Sequence, residues 1–207
     1  MSKQARFWDW IAQRYARQPV ADEAAYQEKL LGTREYFSPG CRVLEFGCGT
    51  GSTAIAHAPH VGQIHATDIS ANMLDIAREK AARAGLSNIT FERTDLAGLA
   101  RENAAWDVIL GMSVLHLLPD MTRDIARINA LLKPGGVFVS STPVIADMDT
   151  LFRFIAPLFS WLPFLPSVAV FSRQDLLASL RDAGFAVESS WQPDPNSAVF
   201  VVARKPV

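Results

Sequence analysis

The residues of this 207-residue chain that could do chemistry begin at a short glycine-rich run, Val43-Leu44-Glu45-Phe46-Gly47-Cys48-Gly49-Thr50-Gly51. Glycines are needed where a strand turns sharply into a helix and the backbone must approach a ligand. Amide groups at the start of the following helix favour a negatively charged ligand group. Three acids stand near this loop in the reading of the chain: Glu45 before it, Asp68 17 residues after Gly51, and Asp95 within Thr94-Asp95-Leu96. Each closes a predicted strand. In an open α/β sheet ligands lie outside the carboxyl ends of the strands, so the three acids are expected along one crevice. An acid at the end of the second strand commonly takes ribose hydroxyls. One after the third can accept from an exocyclic amine, since an ionised carboxylate is only an acceptor.

The elements that must position these residues follow from periodicity. Phe7, Trp8, Ile11 and Tyr15 share the face of a helix over 5–18, and Pro19 ends it. Asp22 is a good cap for a second helix, with Tyr26, Leu30, Thr33 and Phe37 facing inward. The apolar runs 42–46, 63–67, 88–93, 106–112 and 137–142 read as buried parallel strands. Helices over 52–58, from Ser70 to about 84, and over 121–132 separate them, the last closed by Lys133-Pro134-Gly135-Gly136. Ser172 opens a final helix, and 187–191 and 199–204 form a hairpin. Strand and helix alternate five times before that hairpin, which predicts an α/β, Rossmann-like, mostly parallel sheet with helices on both faces.

Composition bounds the alternatives. The length suits one domain. Hydrophobic residues make up 49% and charged residues 20%, which fits a packed globular chain rather than a disordered one. The net charge of -1 shows no basic excess, so no nucleic-acid partner is expected. Cys41 and Cys48 have no zinc-ligand spacing and cannot make a disulfide scaffold, so no metal is expected and the thiols read as reduced and cytoplasmic. The first ten residues lack the apolar run of a secretion signal. The apolar stretch 151–171 is interrupted by Pro157, Pro163 and Pro166, which argues against a spanning helix.

The motif set resembles the class I S-adenosylmethionine-dependent methyltransferases. The pieces that carry the resemblance are Leu44–Gly51, Ala66-Thr67-Asp68-Ile69-Ser70 with Met73 and Leu74, Thr94-Asp95-Leu96, Trp106-Asp107-Val108-Ile109, Ser113-Val114-Leu115-His116, and Leu132-Lys133-Pro134-Gly135-Gly136. The resemblance implies a seven-stranded sheet of order 3-2-1-4-5-7-6 with an antiparallel last hairpin. It implies a single domain over 1–207, with 1–37 as a helical cap and 143–171 as an apolar lid over the acceptor. It also implies that the loop of Gly47, Gly49 and Gly51 holds the methionine part of S-adenosylmethionine, with Glu45 supporting the loop or the amino group. Asp68 would bind the ribose hydroxyls and Ile69 would pack on the adenine. Asp95 would accept from the adenine amine, with Leu96 beside the ring. Gly111 to Ser113 would line the sulfonium.

Other readings of the same residues stay open at this point. A dinucleotide-binding oxidoreductase fits less well, because Ser52 holds the place of the third glycine of G-x-G-x-x-G. A non-catalytic domain that only binds the cofactor has the same motifs. His116 is the first residue to examine as a base, against the simpler reading of a packed histidine. His57, His60 and His65 read as structural, and Cys48 as a small packing residue. No Asn-Pro-Pro-Tyr or Asp-Pro-Pro-Tyr follows the fourth strand, which lowers the case for a nucleic-acid base as acceptor. The aromatics Phe152, Phe154, Phe159, Trp161, Phe164 and Phe171 favour a small lipophilic or aromatic acceptor. Ordinary closing helices and a dimer or membrane-surface patch are rival readings of that stretch.

Overall fold

The computed structural model describes residues 2–99, 103–148 and 168–207. Helices α1 (Lys3–Ala16) and α2 (Glu23–Arg34) precede an alternating series: β1 (Arg42–Phe46), α3 (Ser52–His57), β2 (Gln63–Asp68), α4 (Ala71–Arg83), β3 (Ile89–Arg93), β4 (Trp106–Met112), α5 (Met121–Leu131) and β5 (Leu132–Thr142). After the undescribed stretch come α6 (Arg173–Asp182), β6 (Ala186–Trp191) and β7 (Val199–Arg204). The strands form one sheet of order β3-β2-β1-β4-β5-β7-β6. All neighbours are parallel except β5–β7 and β6–β7. The order and the final hairpin are those expected.

Capping explains where the helices start. Ser2, Asp22, Ser70, Asp120 and Ser172 each accept a backbone N–H of the first turn, satisfying one of the donors that a helix start leaves open. Side-chain alternation along the strands explains why helices cover both faces. Leu44, Phe46, Ile109, Phe138, Val199 and Val201 face α5 and α6 in one core. Val43, Ile64, Val108, Leu110, Val139 and Val202 face the other way, with Ala54 of α3 and Leu74 of α4. Such central strands are apolar on both sides because both sides are buried.

One boundary differs from the periodicity. Lys133-Pro134-Gly135-Gly136 is not a turn before β5 but lies within it, and the β4–β5 register steps from Trp106↔Leu132 to Val108↔Val137. The four residues bulge out of the ladder. Gly135 takes a left-handed φ of 78° there, and Lys133 bonds Asp107 at 2.7 Å. Helix α1 packs on Met73 and Ile76 of α4 through Trp8, Ile11 and Ala12. Most of the expected lid, 149–167 with Phe152, Phe154, Phe159, Trp161 and Phe164, lies outside the described residues. Phe171, its one described aromatic, is buried in the core beside Leu176 and Val144. Among the described residues no helix is long and apolar enough to cross a membrane.

Candidate functional site

A cavity of about 910 Å³ opens at the carboxyl ends of β1, β2 and β4, under α1 and α2. Its floor is the glycine loop. Gly47, Gly49 and Gly51 all have left-handed φ, at 63°, 54° and 74°. A Cβ on Gly47 would lie 2.9 Å from Cβ of Val114, so only glycine lets the loop after β4 close against the loop after β1. The N–H of Cys48 donates to the carbonyl of Thr67 at 2.9 Å, tying the loop to β2.

Asp68 completes that tie. Its Oδ2 accepts the N–H of Gly49 at 2.9 Å and its Oδ1 accepts the N–H of Ser70 at 2.8 Å. Burial raises its pKa, against the lowering effect of these bonds. The hydroxyl of Ser70 donates in turn to Asp9 of α1 at 2.6 Å, and Asp9 also accepts the N–H of Asn72. Helix α1 is thereby clasped to the start of α4, which brings Trp8 and Tyr15 over the cavity. Burial and the nearby charge of Asp68 raise the pKa of Tyr15.

Glu45 continues the Val43 side of β1 and is buried, 2% exposed. One bond reaches it from the N–H of Ala54, while Oε2 has no partner. Burial first, and the charge of Asp68 second, push its pKa up to about 8. A buried carboxyl with an unanswered oxygen on a cavity wall is costly unless a ligand answers it. Asp95 is exposed and accepts the N–H of Gly98 at 3.0 Å, with buried Leu96 beside it.

The cavity wall includes Glu45, Gly47, Gly49, Asp68, Ile69, Asp95 and Leu96 among the expected positions. It does not include Gly51 or Gly111. Gly51 is the cap residue of α3, and a Cβ there would come within 2.8 Å of Ala77. A Cβ on Gly111 would meet Phe46 and Phe138 inside the sheet, and the next residues, Met112, Ser113 and Val114, line the cavity. His116 is also off the wall. Its ring Nδ1 has no partner, burial lowers its pKa to about 4, and its carbonyl accepts the N–H of Ala169. Cys48 is buried, and burial raises its thiol pKa well above the ordinary value, as suits a packing residue.

Several lining residues were not picked out by motif. Tyr26 and Lys29 come from α2, Lys80 from α4, Ser141 from β5, and Asn196 to Ala198 from the β6–β7 loop. Lys80 donates to the hydroxyls of Thr50 and Ser52, bracing the glycine loop. The one available signal was spacing, since Tyr26 and Lys29 are three apart and share a helix face.

Strand order, antiparallel hairpin and a glycine cradle flanked by acids define the class I S-adenosylmethionine-dependent methyltransferase architecture. Residues 11–190 match the family described as methyltransferase domain, and the chain belongs to that family. It is 32% identical to the demethylmenaquinone methyltransferase of Geobacillus kaustophilus over 168 residues, 70% of this chain and 71% of that protein. It is 35% identical to the ubiquinone biosynthesis O-methyltransferase of Coxiella burnetii over 103 residues, covering 50% of this chain and 44% of the relative. The chain thus matches less than half the length of that second relative. Among solved structures, an S-adenosylmethionine-dependent methyltransferase from Mesorhizobium loti superposes with a TM-score of 0.72 at 24% identity, over 87% of this chain and 98% of that one. The [4+2]-cyclase SpnF superposes at 0.75 with 23% identity, over 92% and 84%. The cofactor of the family to which the chain belongs is S-adenosylmethionine.

Proposed function

We propose that the chain transfers the methyl group of S-adenosylmethionine to a small lipophilic or aromatic acceptor bound beside Met112, Ser113 and Val114. One observation carries the reading: Glu45, Asp68 and Asp95 lie on one cavity wall around a glycine cradle. The cavity also fits the cofactor in a second way. The unanswered Oε2 of Glu45 offers an acceptor to a cationic group, which an amino-acid ammonium would supply.

In this reading Gly47 and Gly49 give backbone room to the methionine part and Glu45 receives its amino group. Asp68 keeps acceptor capacity beyond its bonds to the backbone and takes the ribose hydroxyls. Ile69 and Leu96 sandwich the adenine, and Asp95 accepts from its amine. The cofactor, when bound, supplies an activated methyl group. The chain's own residues then hold the acceptor in line at roughly 3–3.5 Å, and such positioning can contribute about 7–11 kcal/mol. Trp8, Tyr15 and the α1–α4 clasp keep water from the methyl. His116 is not among the residues that line the cavity and is given no role in this reading.

Two relatives act, by their names, in ubiquinone and menaquinone formation, and both names support a small lipophilic acceptor. Apolar Leu117, Leu118, Pro119 and Ala198 on the far wall support it too. Fold alone does not decide the matter, since a cyclase shares it. Calorimetry with S-adenosylhomocysteine, S-adenosylmethionine and NAD is expected to show binding of the first two only. Transfer of labelled methyl to small molecules of a cell extract then separates an enzyme from a domain that only binds; no transfer overturns the enzymatic reading.

A further inference from the structure

The cavity has a second charged feature that the cofactor reading does not use. Lys29 of α2 is half-buried on its wall, and its ammonium donates to the hydroxyl of buried Ser141 at 3.0 Å. It lies 6.0 Å from the ring centre of Trp191. None of the ion pairs among the described residues includes Lys29. Asp22 and Glu28 act on it only through longer-range attraction, and burial outweighs them to lower its pKa. A half-buried ammonium whose one direct hydrogen bond among the described residues is to a neutral hydroxyl is poorly compensated, and an anion in the cavity would compensate it.

Position says which ligand that anion belongs to. Glu45 and Asp68 lie at the carboxyl ends of β1 and β2, and Asp95 follows β3, on one side of the cavity. Ser141 belongs to β5, on the other side of β4, opposite Met112 in the register. The carbonyl of Ser141 also accepts the N–H of Ser113 at 2.7 Å. The residue that anchors Lys29 therefore anchors the wall where the methyl group is placed in the proposed function. We propose that Lys29 and Ser141 form an anion-binding subsite for the acceptor, selecting one that carries a carboxylate or an ionised phenol next to its apolar body. This rests on the proposed function and names a chemical class within it.

Benzoate and its neutral counterpart benzamide test it, titrated into protein saturated with S-adenosylhomocysteine. Wild type is expected to bind benzoate at least about tenfold more tightly than benzamide, the scale of one charge-assisted bond. Lys29→Met is expected to abolish that preference, with S-adenosylhomocysteine affinity within about twofold of wild type; Lys29→Arg is expected to keep the preference. Equal or undetectable binding of the two probes by wild type overturns the subsite, as does a preference that survives Lys29→Met. A Lys29→Met protein that loses S-adenosylhomocysteine instead places the ammonium on the cofactor's carboxylate and also overturns it. Failure of wild type to bind S-adenosylhomocysteine at all is a different result, which sinks the cofactor reading beneath it.

Discussion

The two sides of the cavity are built by different means. The side over β1 to β3 is mostly backbone: three left-handed glycines, and an acid whose oxygens are bonded to main-chain amides in the loop after the neighbouring strand and just after its own. The side over β4 and β5 is mostly side chain, contributed by elements far apart in sequence, such as Lys29 and Ser141, 112 residues apart. Backbone geometry tolerates few substitutions, because a Cβ or a lost acceptor shifts the whole loop. Side chains can be exchanged singly. The first side is therefore suited to a ligand that stays the same, and the second to one that varies.

The sharpest way to break that contrast is Gly47→Ala. The new Cβ would meet Val114 in a backbone conformation at φ 63° that alanine resists. Overpacking and strain each cost about 1–3 kcal/mol. Affinity for S-adenosylhomocysteine is expected to fall more than about 100-fold by calorimetry. Affinity within a few-fold of wild type would show that the cradle is not rigid. Asp68→Ala comes next. It removes the ribose partner and leaves the N–H groups of Gly49 and Ser70 without their acceptor, a loss of about 1.5–3 kcal/mol or roughly 10–100-fold in affinity. Unchanged affinity would remove Asp68 from the site.

Glu45→Gln gives a smaller effect with a distinctive pH dependence. The folded carboxyl has a pKa of about 8, whereas an unfolded glutamate titrates near 4.3. The folded form thus keeps a proton that the unfolded chain releases between those values. Its contribution to stability is fully present below about pH 4.3 and is lost as pH rises to 8. Glutamine cannot ionise, so the ligand-free variant is expected to melt about 2–8 °C above wild type at pH 8, for roughly 1–3 kcal/mol. The difference shrinks toward pH 4.5. Thermal melts across that range check it. Affinity for S-adenosylmethionine is expected to fall about tenfold at pH 8, where the lost charge would have faced the ligand's ammonium.

The same contrast governs what could be read from the chain. The strands 42–46, 106–112 and 199–204 were legible to the residue, because a strand buried on both faces is mostly apolar along its length. The glycine loop and its acids were legible because one turn fixes their spacing. Lys133 to Gly136 was not, because a Pro-Gly-Gly that reads as a stop is held in β5 by Asp107, a partner on the neighbouring strand. Of the stretch Gly111 to Ser113, Met112 and Ser113 line the cavity, while alternation along β4 turns the Cβ direction of Gly111 toward two phenylalanines of the core. His116 and Lys29 show the limit from both directions. A histidine beside a motif proved to be half-buried and off the wall, and a lysine outside every motif proved to be on it, since tertiary packing leaves no local period.

Ser113 offers the finest test, because it stands in the loop after β4 that closes against Gly47 through Val114. It is a serine with φ 55° in the stretch that continues β4, held there by its N–H bond to Ser141. A left-handed conformation costs a non-glycine residue about 1–2 kcal/mol. Ser113→Gly removes that cost but gives the unfolded chain more freedom, which offsets about 0.4–1 kcal/mol. The net expectation is a rise in Tm of about 1–3 °C. Gly47→Ala and Ser113→Gly thus exchange the same two kinds of residue on the two sides with opposite signs. If Ser113→Gly lowered Tm instead, the strain at Ser113 would be compensated by its side chain. The β4 side would then be as tightly specified as the glycine loop, and the contrast between a fixed wall and a variable one would fail.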